Sequence, residues 1–368
     1  MAHIVDTAPE PIDVALLTRD RDLGAARPYP GLSGRWVGRG RSQVFYLNTR
    51  SVRQWLRLWR DLRTTQFDVL YVNSLWNPSF SLLPIIAARL GVVRARRVLV
   101  APRGELSPGA LSLKAWKKQA FLKWWDRFLR SMDVVWHAST PREEADIKAA
   151  CAWARVLVNQ NQFALPAEPL PVAAHDGPVR LVFVGRISPV KNLELVMRAL
   201  PRVSKPLEFD IFGPVEDVGY WRRCQSLMGE ISPAVQVKYR GELAPTEVRR
   251  TFGMYDAFVF PTLGENFGHV IAESLSAACP VVCSAETPWT ETLQAGGGIV
   301  LPELTVECLA DALEGLSLMT LSERLQGRAA AGNAYCRWRR TVQGFNILQQ
   351  VRESRQPAGT GDRQAERA

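Results

Sequence analysis

Short apolar runs alternate with amphipathic stretches along most of this chain. Runs such as residues 67–73 have the length of buried strands, whereas stretches such as residues 51–63 repeat their apolar positions at helical spacing. Strands that alternate with helices in this way predict parallel β-α-β units. We therefore predict an α/β protein built from doubly wound sheets.

The alternation stops once, near residue 160, and then resumes. The interrupting stretch, FALPAEPLPVAAHDGP, contains four prolines and no periodicity, which indicates a linker. At 368 residues the chain also exceeds the size at which one hydrophobic core usually stops growing. We predict an N-terminal domain over residues 1–162, a linker over 163–178, a C-terminal domain over 179–334, a long basic helix over 335–355 and a disordered tail over 356–368.

Composition is ordinary for a globular protein, with 47% hydrophobic and 22% charged residues. No apolar run is long enough to span a bilayer, and the first residues lack the basic-then-apolar order of a signal peptide. We therefore expect a cytoplasmic protein. The six cysteines and four histidines lack metal-ligand spacing, so we expect reduced thiols and no bound metal.

The positive charge is unevenly distributed. Residues 1–150 carry 24 Lys+Arg against 13 Asp+Glu, whereas residues 151–368 carry 22 against 23. This asymmetry suggests an anionic partner for the first half, such as a membrane surface or a phosphorylated acceptor, although a solvated basic face is the simpler explanation. No nucleic-acid recognition motif accompanies the charge, so we expect no nucleic-acid partner.

One basic stretch, residues 112–130, interleaves lysines with tryptophans. As an interfacial helix it would place its aromatic rings among lipid headgroups and its lysines on anionic lipids. As a domain helix it would bury the aromatic rings. The N-terminal charge favours peripheral membrane contact slightly, and both interpretations stay open.

The first chemical motif is VGRISPVKN. Gly185 ends a buried strand and permits close backbone approach, and Arg186 and Lys191 follow before the next helix. The Arg fork and the compact Lys charge suit a diphosphate. Alone, the pair could equally be two surface cations.

The second motif, GENFGHVIAES, places two acids around a glycine turn. Glu265 lies in the turn and can accept hydrogen bonds from sugar hydroxyls, while Glu273, about two turns into the following helix, can reach a ribose diol. If that helix begins near Gly268, the amides of Asn266, Phe267 and Gly268 suit a phosphate. Taken singly, Glu265 could instead stabilise the helix N-terminus and Glu273 could lie on a solvated helix face, but a nucleotide diphosphate sugar needs both acids and both cations of the first motif.

With these motifs, the sequence resembles the retaining glycosyltransferases of family 4, which have the GT-B fold. The segments IFGP, YRGEL and SAETPWTETL match further loops of the family, and APRGELSPGAL and WHASTPREEADI resemble its bacterial surface-polysaccharide members. The resemblance covers most of the chain. It implies two Rossmann-like domains facing across a cleft, a nucleotide-sugar donor bound by the C-terminal domain, and no metal cofactor.

The resemblance also implies roles for individual residues. Arg186 and Lys191 would hold the diphosphate and stabilise the leaving group, Glu265 would fix the donor sugar, and Glu273 would bind the ribose. Transfer would occur on the front face, with the departing phosphate taking the acceptor proton. The remaining donor-binding set would be Gly185, Gly213, Leu243, Asn266, Phe267 and Gly268.

The N-terminal domain would hold a lipid-linked or oligosaccharide acceptor at the inner face of the cytoplasmic membrane. Where many members have a histidine after the fourth strand, this chain has APRGEL, so Arg103 or Glu105 could face the acceptor. His137 follows the next strand and reads more simply as a core histidine. The C-terminal helix would cross back to this domain through a packing face of Tyr335, Trp338, Phe345 and Leu348.

The sequence departs from the family at its start. Members usually have a strand, a glycine-rich loop and a helix before the segment that IDVALLTRDRDLG resembles, so we expect a truncated N-terminal domain. In the alternative, residues 12–17 serve as the first strand and residues 31–40 as a substitute loop. Truncation keeps open an impaired relative that binds nucleotide sugar or membrane without turnover. An epimerase or phosphorylase of the same fold is a further alternative.

Overall fold

A computed structural model describes residues 4–5, 8–22, 25–112, 115–159, 165–173, 175–341 and 346–353. Its contacts divide the described residues into two compact units. We call residues 4–159 with 346–353 the N-terminal unit, and residues 165–341 the C-terminal unit.

The N-terminal unit alternates strands and helices as the apolar pattern predicts. Its strands are β1 (Ala15–Arg19), β2 (Trp36–Arg39), β3 (Ser42–Leu47), β4 (Gln66–Asn73), β5 (Arg94–Ala101), β6 (Val134–Ala138) and β7 (Arg155–Val158). Its first helices are α1 (Val52–Arg63), α2 (Leu83–Arg89), α3 (Pro108–Ser112), α4 (Ala115–Arg130) and α5 (Pro141–Ala150), with a π-helical turn over Pro78–Leu82.

The seven strands form two sheets. One has the order β1-β3-β2, in which β2 runs antiparallel to β3, and the other has the parallel order β4-β5-β6-β7. Residues 36–39, within the stretch considered as a substitute loop, are therefore a strand that pairs with β3. The larger sheet buries Trp125 and Trp136 in its core cluster.

The C-terminal unit contains one parallel sheet of six strands in the order β10-β9-β8-β11-β12-β13. These strands are β8 (Val179–Val184), β9 (Leu207–Phe212), β10 (Val235–Gly241), β11 (Ala257–Phe260), β12 (Val281–Ser284) and β13 (Gly298–Leu301). The helices are α6 (Leu193–Ala199), α7 (Val218–Met228), α8 (Val248–Phe252), α9 (His269–Ser276), α10 (Thr290–Thr292), α11 (Val306–Ser317) and α12 (Leu321–Thr341). Short 3-10 turns over Pro189–Lys191 and Leu200–Arg202 and a π-helical turn over Leu293–Gly297 complete it.

Part of the stretch predicted as a linker belongs to the C-terminal unit. The Leu170 amide donates to the Ser276 carbonyl at 2.9 Å, and the Tyr335 hydroxyl donates to the Pro166 carbonyl at 2.6 Å. The prolines that suggested a free connection therefore lie in a segment that is hydrogen-bonded to α9 and α12.

The C-terminal helix predicted over residues 335–355 is not one helix. Tyr335 is buried near the end of α12, within the C-terminal unit. Residues 342–345, which include Phe345, lie outside the described residues, and a separate helix α13 (Ile347–Glu353) belongs to the N-terminal unit. There Ile347 and Val351 pack against a cluster that contains Leu99 of β5 and Val135 of β6. The predicted tail also lies outside the described residues.

Candidate functional site

The predicted donor residues follow the carboxyl ends of neighbouring strands in the C-terminal unit. Gly185 follows β8 and Gly213 follows β9. Gly213 has a φ of +137°, and a Cβ there would lie 1.9 Å from the Gly185 carbonyl oxygen. Any side chain at Gly213 would therefore force the two loops apart. In parallel α/β sheets this edge is where ligands bind.

Lys191 and Glu265, 74 positions apart in the chain, form an ion pair at this edge. The Lys191 Nζ lies 2.5 Å from a Glu265 carboxylate oxygen and 5.1 Å from the centre of the Phe260 ring. The Lys191 and Glu265 side chains are 12% and 20% exposed. The fold thus unites one residue from each sequence motif, a cation and an acid, in a pair that is largely shielded from water.

Arg186 is held by a residue that the sequence analysis did not select. Its Nη1 donates to a Glu216 carboxylate oxygen at 2.7 Å, and both side chains are exposed. Glu216 follows Gly213 by three residues in the loop after β9, and its amide donates to the Ile187 carbonyl. Because the pair joins loops that follow different strands, no local sequence pattern marks Glu216.

The glycine turn before α9 is supported by a buried tryptophan. Gly268 adopts a left-handed φ of +78° and caps the helix, which begins at His269, one residue later than expected. The amides of Asn266 and Phe267 therefore precede the helix instead of opening it. The Trp289 indole donates to the Phe267 carbonyl at 2.5 Å, and a Cβ on Gly268 would lie 3.0 Å from the Trp289 Nε1.

Glu273 lies on α9 and is partly buried. Burial raises the pKa of its carboxyl to about 7, so its charge changes near neutral pH. Among the described residues its side chain has no hydrogen-bond or ion-pair partner, so desolvation alone causes the shift. Leu243, also predicted in this set, is half-buried two residues after β10.

A polar cluster lies at the corresponding strand ends of the N-terminal unit. Arg103, after β5, has a left-handed φ of +57°, which is uncommon for a residue with a side chain. Its Nε donates to the Asn73 side chain and its Nη2 to the Tyr71 hydroxyl, both at 2.7 Å. The guanidinium is thus held in one orientation at the ends of β4 and β5.

His137 completes a directional chain of hydrogen bonds. Its Nε2 lies 2.8 Å from the Asn159 carbonyl oxygen, which can only accept, so the proton is on Nε2. Its Nδ1, 2.6 Å from the Tyr71 hydroxyl, is then an acceptor. Arg103 therefore donates to Tyr71, and Tyr71 donates to His137. Burial lowers the pKa of His137 to about 4 and raises that of Tyr71 to about 12, so both stay neutral at pH 7.

Glu105 supports the loop after β4. Its carboxylate accepts from the Ser74 hydroxyl at 2.8 Å and from the Leu75 amide at 2.5 Å. Glu143, which the sequence analysis did not select, accepts from the Gly104 amide at 2.7 Å and thereby holds the Arg103 loop. Of the three predicted acceptor-side residues, Arg103 is half-buried at the sheet edge, Glu105 binds backbone, and His137 is fully buried.

Helix α4 divides its aromatic residues between core and surface. Trp125 is buried and stacks on Phe128 with ring centres 4.9 Å apart, whereas Trp116 and Trp124 are 72% and 57% exposed. Lys123 on the same helix is also exposed. The buried Trp125 therefore fits a domain helix, whereas the exposed Trp116 and Trp124 fit an interfacial helix.

The described residue ranges contain neither a helix suited to cross a membrane nor a cluster of metal-ligand side chains. No helix in these ranges combines the length and the apolar character needed to cross a membrane. In the same part of the chain, no three His, Cys, Asp or Glu side chains are grouped so that they could hold a metal ion.

Several solved structures share the fold of this chain. Anabaena HepE in complex with UDP and glucose matches with a TM-score of 0.67 and 16% identity over 93% of this chain and 98% of that chain. Sucrose-phosphate synthase from Thermosynechococcus elongatus matches with a TM-score of 0.67 and 15% identity over 93% of this chain and 88% of that chain. At these identities the likeness establishes the fold, and the class that it defines is the GT-B fold of glycosyltransferases.

Sequence comparison finds its likenesses in or around the C-terminal unit. Residues 178–318 match the family model described as Glycosyl transferases group 1. A D-inositol 3-phosphate glycosyltransferase of Mycobacterium marinum is 27% identical over 158 residues, 42% of this chain and 34% of the relative. O-antigen chain mannosyltransferase B of Escherichia coli is 26% identical over 198 residues, 50% of each chain. The chain thus spans about a third of the length of the first of these curated relatives and half of the length of the second.

These comparisons confirm the predicted fold and the resemblance to group 1 glycosyltransferases. Retention of configuration and membership of family 4 stay predictions, as do the roles of the individual site residues.

Proposed function

We propose that this protein transfers a sugar from a nucleotide diphosphate sugar to a hydroxyl group of a lipid-linked or oligosaccharide acceptor, in the synthesis of a surface polysaccharide. The observation that carries the proposal is the shielded Lys191–Glu265 pair in a group 1 glycosyltransferase domain. It places a cation and an acid together at the edge where a parallel α/β sheet binds ligands.

The two cations would bind the donor diphosphate. Arg186 is exposed and its pair with Glu216 is exposed too, so exchanging that carboxylate for a phosphate costs little. Lys191 is largely buried against Phe260 and Glu265, which fixes its ammonium group before the donor arrives. Arg186 then supplies an adaptable bidentate contact and Lys191 a fixed charge.

The transfer step follows from these contacts. The bond between the sugar's anomeric carbon and the diphosphate oxygen breaks, and a bond from that carbon to the acceptor oxygen forms. The acceptor proton passes to the departing phosphate, whose negative charge Arg186 and Lys191 stabilise. Glu265 would orient the sugar through its hydroxyls and Glu273 would accept hydrogen bonds from the ribose. We propose that this step needs no metal ion and retains the anomeric configuration.

The comparisons guide the choice of first substrates. HepE was solved with UDP and glucose, and with UDP-glucose, so UDP-glucose is the first donor to test. The Escherichia coli relative is named for the O-antigen chain, which supports a surface-glycan acceptor. Arg103, fixed by Tyr71 and Asn73, would provide a positive charge for an acceptor that carries a phosphate.

Helix α4 would bring the protein to the inner face of the cytoplasmic membrane. Exposed Trp116 and Trp124 suit the headgroup region, and exposed Lys123 and Arg127 suit anionic lipids. We expect co-sedimentation with phosphatidylglycerol vesicles that the double substitution of Trp116 and Trp124 by Ala abolishes. Leu56→Ala, at an exposed apolar position on α1, is the matched control. Equal sedimentation of all three proteins would contradict membrane contact through α4.

Calorimetric titration with UDP, GDP and their glucose and mannose conjugates, without added metal, tests the donor site. We expect one nucleotide to bind to the wild type, and Lys191→Ala and Glu273→Ala each to weaken binding at least about tenfold. Arg202→Ala is the control, because Arg202 pairs with Glu307 on the surface of the same unit. If no nucleotide binds, the proposal fails. Binding without sugar transfer to any acceptor would favour the impaired relative.

A further inference from the structure

Helix α1 of the N-terminal unit carries a row of arginines on its exposed side. Residues 50–63 contain five arginines and one aspartate, and no other charged residue. Four of these arginines belong to the helix itself and are exposed: Arg53, Arg57, Arg60 and Arg63. Because they follow one another at intervals of four, three and three residues, they share one face of the helix. The proposed function gives this arginine face no role.

The arginine face lacks the acidic partners that many exposed arginines have in the C-terminal unit. Six arginines of that unit have side chains that are 40% to 59% exposed, and each pairs with a carboxylate: Arg180, Arg186, Arg198, Arg202, Arg223 and Arg240. On α1, Arg60 lies 3.7 Å from Asp61 and is still 78% exposed. Among the described residues, Arg53 and Arg63 have no ion-pair partner. Four arginines and one aspartate therefore leave a strong positive charge on α1.

The positions of these charges also oppose the electrostatics of the helix. Arg53 lies in the first turn of α1, which contains no acidic residue. The helix dipole disfavours a cation there. Arg53 and Arg57 are four residues apart, a spacing at which like charges on a helix repel each other. An anion bound along the arginine face would offset both costs.

The helix holds the row at a fixed spacing. Leu58 and Leu62 are buried in the core of the N-terminal unit, and they anchor the opposite side of α1. At the helical rise, the ten residues from Arg53 to Arg63 span about 15 Å. A single phosphate cannot face all four arginines over this distance. An extended molecule with repeated negative charges can.

We propose that the arginine face of α1 binds an anionic glycan, a chain of sugars with repeated carboxylate or phosphate groups. The planar fork of arginine matches both groups. Val52 and Leu56 on the same helix are 70% and 65% exposed and would contact the C–H groups of the sugar rings. The choice of a glycan rests on the proposed function, in which the acceptor is part of a polysaccharide. The acceptor would then be an acidic chain that lies along α1.

An anionic lipid surface fits the arginine face less well. An interfacial helix inserts bulky apolar side chains below the headgroups. Helix α4 exposes two tryptophans, whereas the large apolar residues exposed on α1 are Val52 and Leu56. Helix α1 thus offers more charge and less apolar surface than α4, which favours binding along a charged chain over insertion into a bilayer.

The test uses a variant in which three arginines of α1 are replaced together: Arg53→Gln, Arg60→Gln and Arg63→Gln. Arg57 is kept, because its Nη1 donates to the Gly34 carbonyl at 3.2 Å. Glutamine and arginine have similar helix propensities, and the variant loses like-charge repulsion, so it should fold as well as the wild type.

Two controls match this variant. The first removes the same charge from exposed positions of the C-terminal unit, through Arg202→Gln, Arg222→Gln and Arg250→Gln. The second, Leu56→Ala, removes an exposed apolar side chain from α1 and keeps every charge. The first control separates the arginine face from net charge, and the second separates charge from apolar contact.

Calorimetric titration with alginate oligosaccharides, phosphomannan oligosaccharides and neutral dextran measures binding. We expect the wild type and both controls to bind at least one of the two anionic glycans, and to bind it more weakly as NaCl is raised, because salt screens exposed charges. The α1 variant should bind it at least about tenfold more weakly, because three charged contacts are lost. Dextran should not bind.

Four outcomes would overturn the proposal. Failure of both anionic glycans to bind the wild type would mean that the arginine face is only solvated. Equal losses in the two triple variants would assign the binding to net charge. Loss of sedimentation with phosphatidylglycerol vesicles in the α1 variant, with glycan binding unchanged, would assign the face to lipid. Tighter binding of single-stranded DNA than of glycan, lost in the α1 variant, would assign it to nucleic acid.

Nucleotide titration of the same proteins separates this proposal from the proposed function. The α1 variant should bind the donor nucleotide as tightly as the wild type does. A wild type that binds a nucleotide but no anionic glycan would overturn the proposal for α1 alone. A wild type that binds an anionic glycan through α1 but no nucleotide would overturn the proposed function and support the glycan surface.

Discussion

The strand ends of the two units hold their charged groups in different ways. In the C-terminal unit, Arg186 and Lys191 are each paired with one carboxylate, and the Arg186–Glu216 pair is exposed to solvent. In the N-terminal unit, Arg103 is bound through Tyr71 to a buried, neutral histidine that cannot change partners without leaving a polar atom unsatisfied. The first arrangement suits reversible binding of a charged ligand. The second suits a cation whose position does not change when a ligand binds.

The largest expected effect is on turnover in the C-terminal unit. Lys191→Ala removes the fixed charge that we propose to stabilise the leaving group, so kcat/KM for sugar transfer or donor hydrolysis should fall at least about a hundredfold. Steady-state assays of nucleotide release measure this. Arg202→Ala should retain wild-type rates, and a fall of less than about threefold for Lys191→Ala would show that this pair is structural.

Glu273→Gln should separate stability from binding. The folded-state pKa of about 7 lies above the ordinary value of 4.5, so the folded protein binds the extra proton between these values and loses stability as pH rises through them. A glutamine at this position does not ionise, so the variant does not lose this stability. Relative to the wild type, the variant should therefore gain on the order of 2 kcal/mol in free energy of unfolding between pH 4.5 and pH 8, while nucleotide binding weakens.

Urea unfolding at several pH values measures the Glu273 effect, with Glu291→Gln as the control, because Glu291 is an exposed acid on α10. Parallel stability curves for wild type and Glu273→Gln would contradict the raised pKa.

Tyr71→Phe tests whether the network in the N-terminal unit is rigid. Removal of the hydroxyl leaves the buried His137 Nδ1 without its donor and Arg103 without one acceptor, which should cost about 1–3 kcal/mol of folding stability. Denaturant titration measures this cost. Tyr46→Phe serves as the control, since Tyr46 also lies on a strand of this unit. Stability unchanged by Tyr71→Phe would mean that the chain of hydrogen bonds does not hold Arg103.

Glu216→Ala should have the smallest effect. Its pair with Arg186 is exposed, so stability should stay within about 0.5 kcal/mol of the wild type. Because the competing carboxylate is gone, the affinity for the nucleotide diphosphate should rise slightly, by up to about threefold. Weaker binding by this variant would show that Glu216 orients Arg186 instead of competing for it.

Local sequence patterns predicted much of the fold. The alternation of apolar runs and amphipathic stretches gave the strands and helices of both units, because burial of one face imposes its period on the chain. The glycine loops were also predictable, since close backbone approach excludes a side chain at Gly213. The pattern did not show that Tyr335 and Ile347 belong to two separate helices, α12 and α13.

The sequence predicted the candidate site only in part. The motifs gave the chemical groups, Arg186, Lys191, Glu265 and Glu273, and their proposed roles stay predictions until the experiments above are done. The motifs did not predict which side chains pair with these groups. Glu216 and Trp289 reach the site from other loops, and Tyr71 meets His137 only because β4 and β6 flank β5 in the sheet.

By itself, the sequence determined the α/β class, the positions of the glycine turns and the supply of cations and acids near strand ends, because each depends on neighbouring residues. The tertiary structure alone decided which charges pair, which nitrogen of His137 carries the proton, and that Asp256 and Arg324 form a buried ion pair at the opposite edge of the sheet. Those features depend on burial and on strand order, which bring together residues that no local spacing relates.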